Sequence, residues 1–259
     1  MTISKDLYME ERRQNILRLL DLQGKVSVTD LSTVFSVSEV TIRADLQALA
    51  DNGLLIRTHG GALKVDPALV DITLTSRRER KAGEKSRIGQ AAAQLVQDGD
   101  SIFLDASSTA LAIAPHLKNR RNLTVITNCI AVAQELMDAP KITVVMTGGR
   151  LRRDTASLVG GDNLDVLARY NIQKGFFGAH GVDFIEGLTD VSADEAEVKR
   201  LLVAKCRMVI AVLDASKWDR VGLSSFAAFS SVRVIVTDTN APAELVARAR
   251  LEGVEVISV

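Results

Sequence analysis

The chain has 259 residues, enough for one large domain or two of ordinary size. Lys+Arg and Asp+Glu are balanced at 32 each, which argues against a protein that coats nucleic acid through bulk charge. Hydrophobic residues make up 47% and aromatics 4%, so the expected core is sizeable and mostly aliphatic.

No apolar run approaches the roughly 20 residues of a membrane span, and no membrane partner is expected. The first residues form no apolar leader, so the expected compartment is the cytoplasm. Cys129 and Cys206 are far apart and form no C-x-x-C, which argues against a disulfide framework and a zinc knuckle.

Near the N-terminus, Ile16, Leu17, Leu19 and Leu20 recur among charged residues, predicting an amphipathic helix from Glu10 to Leu22. Gly24 ends it, and Ser27 caps a second helix through Thr29, Leu31 and Val34. Ser38 caps a third, running to about Asp51 and closed by Asn52-Gly53. On that third helix Ile42, Leu46 and Leu49 point to the core. The opposite face, Val40, Ala44 and Gln47 flanked by Thr41 and Arg43, is small and polar, as suits a helix entering a major groove. Leu54-Leu55-Ile56 and Ala62-Leu63-Lys64-Val65 read as a β-hairpin wing turning at His59-Gly60-Gly61. From this wing Arg57, His59 and Lys64 are placed to touch phosphates. The competing reading is a small helical domain that binds protein. Basic and acidic residues are equal in number from Met1 to Val65, so tight DNA binding needs two or more copies on a symmetric site.

Residues 66–84 read as a linker. The charge-dense stretch Ser76 to Arg87 is either a solvated connector and helix entry, or a phosphate-contacting arm or hinge that transmits a signal.

From 85 to 259 the chain alternates strand-like and helix-like segments, which predicts a largely parallel sheet covered on both faces. In such sheets ligands sit beyond the carboxyl ends of the strands. Four candidate loops fall there. Asp105-Ala106-Ser107-Ser108-Thr109 joins hydroxyls to a helix N-terminus that suits a phosphate. Thr127-Asn128 and Gly148-Gly149 follow two further strands. Asp214 and Lys217 follow a fourth, the lysine being either a point-charge clamp on phosphate or half of a surface ion pair. Nucleotide fingerprints and a G-x-S-x-G elbow are missing. His59, His116 and His180 show no metal-ligand spacing, and no cofactor, metal or catalytic set is assigned.

R-R-Q-N-I-L-R-L-L, S-E-V-T-I-R-A-D-L and R-T-H-G-G-A resemble the winged helix of DeoR-type bacterial transcription regulators. The likeness continues through F-L-D-A-S-S-T-A, V-I-T-N-C, T-G-G-R-L, F-G-A-H-G-V and V-L-D-A-S-K-W, which look like the sensor domain of the same regulators. The resemblance implies an α/β sensor domain similar in fold to ribose-5-phosphate isomerase and glucosamine-6-phosphate deaminase, with a phosphorylated sugar or related metabolite as effector. It implies DNA contacts at Ser38, Thr41, Arg43 and Gln47, with Asp45 structural. It implies effector contacts at Asp105, Ser107, Ser108, Thr109, Thr127, Asn128, Gly148, Gly149 and Lys217, with Glu195 and Lys199 either near the pocket or a pair on a helix surface. Two departures stand out: Ala44 where many members carry a second basic residue, and Ser107 where glycine is usual. The implied protein is a repressor of carbohydrate-metabolism genes that binds operator DNA as a homodimer or homotetramer. The alternative is a sugar-phosphate isomerase or deaminase with an added winged helix and His180 as base.

Overall fold

The computed structural model describes residues 9–51, 54–58, 60–64, 73–160 and 170–259. The chain divides into two compact units, Met1–Val70 and Asp71–Val259. The expected stops at Asn52-Gly53 and Asp66-Pro67, and His59, lie outside the described residues, as does the side chain of Lys64.

The first unit is a three-helix bundle with a small sheet. Helices α1 (Met9–Gln23), α2 (Val28–Phe35) and α3 (Glu39–Asp51) alternate with strands β1 (Lys25–Ser27), β2 (Leu55–Thr58) and β3 (Gly61–Lys64). The helix starts follow local chemistry. Ser27 Oγ accepts from the Asp30 N–H at 3.0 Å, and Ser38 Oγ from the Thr41 N–H at 3.2 Å. Helix α2 stops at Ser36, in left-handed geometry with φ 54°. Ile16, Leu20, Leu31, Ile42 and Leu46 are nearly or wholly buried and form one core. The hairpin β2–β3 is as expected. The sequence reading had no strand at Lys25–Ser27, where β1 pairs antiparallel with β3 to make three strands.

The second unit opens with α4 (Leu74–Glu79) and α5 (Ala82–Gln94). There follow β4 (Ser101–Leu104), α6 (Ser108–Leu111), β5 (Leu123–Thr127), α7 (Ile130–Glu135), β6 (Ile142–Met146), β7 (Arg150–Arg152) and β8 (Ser157–Val159). After these come β9 (Ile172–Phe177), β10 (Gly181–Asp183), β11 (Gly187–Asp190), α8 (Ala193–Val203) and β12 (Cys206–Val212). The chain closes with β13 (Ser224–Ala227), β14 (Val232–Thr237), α9 (Ala243–Leu251) and β15 (Glu255–Ser258).

Seven of the strands form one parallel sheet in the order β15-β14-β12-β9-β4-β5-β6. Its strands are apolar on both faces, and alternate residues feed opposite layers. Ile102 and Leu104 pack with α5 and α6, whereas Phe103 packs with α8. Phe176 and Phe177 divide in the same way. Because every strand runs the same way, the carboxyl ends of β4, β5, β6, β9 and β12 share one edge. A second antiparallel sheet, β10-β11-β13, and the hairpin β7–β8 were not anticipated.

The stretch read as a charged connector is helical over much of its length. Leu74 is buried in the core, its N–H donates to the Asp154 carbonyl at 2.9 Å, and α4 and α5 both belong to the second unit. No helix among the described residues is long and apolar enough to cross a membrane.

Candidate functional sites

On α3 the residues named for DNA contact line one exposed face. Ser38, Val40, Arg43, Ala44 and Gln47 are exposed and Thr41 is partly so. Val40 is 73% exposed, an apolar side chain free to meet a thymine methyl. The Arg43 guanidinium is held 2.8 Å from Glu39 one turn earlier, leaving its side chain about half exposed. Arg57 Nη1 donates to the Arg43 carbonyl at 2.8 Å, so the wing braces the back of α3, and Arg57 Nε is buried without an acceptor. Asp45 points inward at 2% exposure and accepts from Arg12 Nε at 2.6 Å and Arg13 Nε at 2.9 Å. It ties α3 to α1 and is structural, as expected.

In the second unit the sheet's carboxyl edge gathers the four expected loops, but their members do different work. Asp105 is wholly buried. Its Oδ1 accepts from the Ser107 N–H and its Oδ2 from the Gly178 N–H, both at 3.0 Å, and Lys199 Nζ lies 3.0 Å away. Thr127 Oγ1 donates to the Leu104 carbonyl at 2.7 Å and accepts from the Cys129 N–H at 3.0 Å. Ser107 Oγ accepts from the Ala110 N–H at 3.0 Å and caps α6. These three side chains brace the loops from within. Ser108 and Thr109 are buried, and their hydroxyls make no hydrogen bond among the described residues. Asn128 is 2% exposed. Its Nδ2 donates to the Leu158 carbonyl at 3.3 Å, but its Oδ1 is buried with no donor facing it. Gly149 has φ 113°, and a Cβ there would meet the Val159 carbonyl oxygen at 2.6 Å, so only glycine fits.

Lys199 organises a buried charge cluster. It lies 2.7 Å from Asp190 and 3.0 Å from Asp105, and also donates to the Gly178 carbonyl at 2.8 Å. Burial works against its charge, yet Asp105, Asp190 and Glu195 outweigh it and hold the ammonium protonated above the usual lysine range. Burial alone would raise the Asp190 carboxyl, but Lys199 and the Val191 N–H hold it below the usual carboxylate range. Glu195 Oε1 accepts from Ser157 Oγ at 2.8 Å. The helical surface pair considered for Glu195 and Lys199 is therefore replaced by two buried roles.

Asp214 does not form its close ion pair with Lys217. The caps of β12 are Lys81 Nζ, 2.9 Å from Asp214 Oδ1, and the Ser216 N–H, 3.0 Å from the same oxygen. Lys217 makes no ion pair within 4 Å among the described residues. Its ammonium pKa is lowered first by burial, partly offset by Asp214, and further by Arg220, Arg77 and Lys81. Lys85, 7% exposed, is pushed down to about 8 by burial despite Asp214, with Lys217, Arg77 and Lys81 adding to the shift. It donates to the carbonyls of Arg77 and Arg80, the latter at 2.7 Å, closing the end of α4.

Reasoning from the sequence passed over Arg77, Lys81 and Lys85. Nothing in their spacing singles them out from Arg78, Arg80 and Arg87, because Lys81, left-handed with φ 52°, breaks the chain into two helices between them.

Residues 12–68 match the DeoR-like helix-turn-helix domain, and residues 80–239 match the DeoR C-terminal sensor domain. The HTH-type transcriptional regulator GolR of Listeria innocua is 36% identical over 228 residues, 88% of this chain and 90% of that one. The glycerol-3-phosphate regulon repressor of Escherichia coli is 32% identical, covering 90% of this chain and 92% of its own. The HTH-type transcriptional repressor GlcR of Bacillus subtilis is 33% identical, covering 90% and 89%. Among solved structures, ribose 5-phosphate isomerase A from Methanocaldococcus jannaschii aligns over 52% of this chain and 53% of its own, at 20% identity and a TM-score of 0.39. With reading head and sensor both matched in order, and relatives aligned along nearly the whole sequence, the chain belongs to the DeoR family of transcriptional regulators.

Proposed function

We propose that this chain is a repressor of carbohydrate-metabolism genes, bound to operator DNA as a homo-oligomer and released by a phosphorylated sugar at the sheet's carboxyl edge. The observation that carries the effector reading is the set of unused polar groups there. Among the described residues, Asn128 Oδ1 is buried without a donor, no hydrogen bond engages the Ser108 and Thr109 hydroxyls, and the Lys217 ammonium has no counter-ion within 4 Å. Buried polar groups normally find partners, and a polyol bearing an anion supplies donors, acceptors and negative charge together. The glycerol-3-phosphate regulon repressor, one of the relatives, is named for the regulon of a phosphorylated polyol.

The DNA-reading surface is the exposed face of α3, with Ser38, Thr41, Arg43 and Gln47 as the base- and phosphate-contacting set and Arg57 as brace. The neutral head favours paired copies on matching half-sites. The effector acts by binding one arrangement better than the other, and a tenfold change in operator affinity needs only about 1.4 kcal/mol of difference.

Turnover is disfavoured by the state of the strand-tip aspartates. Asp105 has both oxygens engaged, and Asp190 is held ionised against Lys199. A general base works best with a pKa near the operating pH and access to the substrate proton, and neither residue offers both.

The test is a gel-shift titration on the promoter beside its own gene, with sugar phosphates and their dephosphorylated counterparts added. Release by a phosphorylated sugar and not by the free sugar is expected. A complex that forms on unrelated DNA equally well, or that only free sugars dissolve, would refute the reading.

A further inference from the structure

The buried side chains of α3 fix which way its outer face looks. At about 100° per residue, Ile42, Leu46 and Leu49 fall in one sector, and none is more than 4% exposed. Val40 and Ala44 lie opposite that sector, and both are exposed. Arg43 and Gln47 flank them on one side and Thr41 on the other. The centre of the reading face is therefore apolar, and its polar groups stand at the margins.

Those margins are already ordered. Ser38 Oγ and Thr41 Oγ1 share a hydrogen bond of 2.9 Å. The Arg43 guanidinium is held by Glu39, whose carboxylate also accepts from Thr29 Oγ1 of α2 at 3.2 Å. The Arg43 carbonyl is held by Arg57. The side chains of the central stripe have no hydrogen bonds to make, so burial against another apolar group is what stabilises them.

The fold does not account for Val40. At 73% exposure it adds little to the core. Being β-branched, it forms helix less readily than alanine would. In the major groove the apolar feature of a base pair is the C5 methyl group of thymine. Side chains four apart on a helix have Cβ atoms about 5–6 Å from each other, so one methyl group seated between Val40 and Ala44 touches both. The small side chain of Ala44 leaves that seat open.

We propose that Val40 and Ala44 are specificity-determining residues that hold a thymine methyl group between them. The partner is a duplex with thymine at one fixed position of each half-site, distinguished from cytosine by its methyl group as well as by its hydrogen-bonding edge. The assignment rests on α3 being the DNA-reading helix, as proposed above. It adds an apolar contact to the polar set of Ser38, Thr41, Arg43 and Gln47.

The experiment uses the duplex that the full-length wild type enriches from random DNA. Each thymine in the bound sequence is replaced singly by uracil, which lacks only the methyl group. Wild type is expected to bind about fourfold more weakly at one such position per half-site, the loss for burying one methyl group fewer. Val40→Ala should bind the thymine duplex more weakly than wild type does and treat thymine and uracil alike there. Ala44→Leu, which fills the seat, should also lose the preference. Both variants should melt within a few degrees of wild type, since neither site is in the core. Leu22→Ala, at an 84% exposed apolar position on α1, should keep the full thymine preference.

The assignment is overturned if no uracil substitution weakens wild type, if Val40→Ala keeps the wild-type ratio, or if Leu22→Ala loses it equally. In each of those cases wild type still binds its selected duplex, and the reading of α3 as the DNA-binding helix stands. If wild type enriches no sequence at all, that reading falls and this assignment with it.

Discussion

Lys81 and Asp214 stand 133 positions apart in the sequence, and their charged atoms lie 2.9 Å apart. The pair joins the corner between α4 and α5 to the tip of β12. Asp214 is almost wholly enclosed, whereas the Lys81 side chain keeps 41% of its surface. Removing one member of a fully buried pair costs about 3–5 kcal/mol, so with this exposure Lys81→Met should cost about 2 kcal/mol. The acid side follows from Asp214. Burial pushes its carboxyl up, but Ser216, Lys81 and Lys217 together hold it below the ordinary value. Its stabilisation is thus present above the unfolded aspartate pKa and lost as pH falls through the folded one. Urea unfolding of wild type and Asp214→Asn should differ most near neutrality and converge in acid. A gap that stays constant down to the acid limit would show that the charge is not what stabilises.

Lys85 gives the opposite slope. Its folded pKa, about 8, lies below the ordinary lysine value of 10.5. Between those values the unfolded chain binds more protons than the folded one, so stability rises with pH across that window. Relative to Lys85→Met, wild type should gain about 1–2 kcal/mol from pH 7.5 to 10, less than full conversion of the shift because water screens part of the site. Chemical unfolding at several pH values measures this directly. A flat difference would mean that Lys85 is not desolvated as described.

Asp45 and Arg43, two residues apart on α3, should fail in different ways. Asp45 holds Arg12 and Arg13 from a buried position, so Asp45→Ala should destabilise the first unit by about 3 kcal/mol and lose DNA binding through unfolding. Arg43 is exposed, so Arg43→Ala should leave the melting temperature nearly unchanged. It should weaken operator binding and reduce the slope of log affinity against log salt by about one. Circular dichroism melts beside gel shifts at several salt concentrations separate the two. Equal thermal loss in both variants would remove Arg43 from the contact face.

Much of this was legible because its causes are local. Ser27 and Ser38 announce helix starts by side-chain chemistry alone, and the Ile42, Leu46, Leu49 spacing marks the buried face of α3. The strand-tip loops were legible for a different reason: parallel strands alternating with helices deliver all their carboxyl ends to one edge. What escaped depends on distant partners. Strand β1 is three residues long and exists because β3 lies beside it. Asp105 looks like a ligand contact by type, but the sequence does not show that Lys199 and the Gly178 N–H occupy it. Arg77 looks like one charge among many until α4 is seen to pack into the sensor unit.

Ser107 and Gly178 supply the last case of this kind. A Cβ added at Gly178 would meet Ser107 Cβ at 2.4 Å and Oγ at 2.3 Å, contacts that no real side chain tolerates. Ser107 itself cannot swing away freely, because its Oγ caps α6 and its N–H donates to Asp105. Gly178 also donates to Asp105, so backbone movement there disturbs the Lys199 cluster. Gly178→Ala should therefore cost about 1–3 kcal/mol, the range for overpacking a filled core. Ser107→Gly alone should cost only a few tenths, since glycine is a tolerable N-cap. The double variant should recover most of the Gly178→Ala loss, giving a favourable coupling of about 1 kcal/mol or more in a thermal or urea unfolding cycle. Simple additivity of the two losses would show that position 107 does not set the space available to 178. The presence of serine at 107 is then explained by the glycine opposite it, and the strand-tip loop keeps its shape with one more methylene and hydroxyl inside.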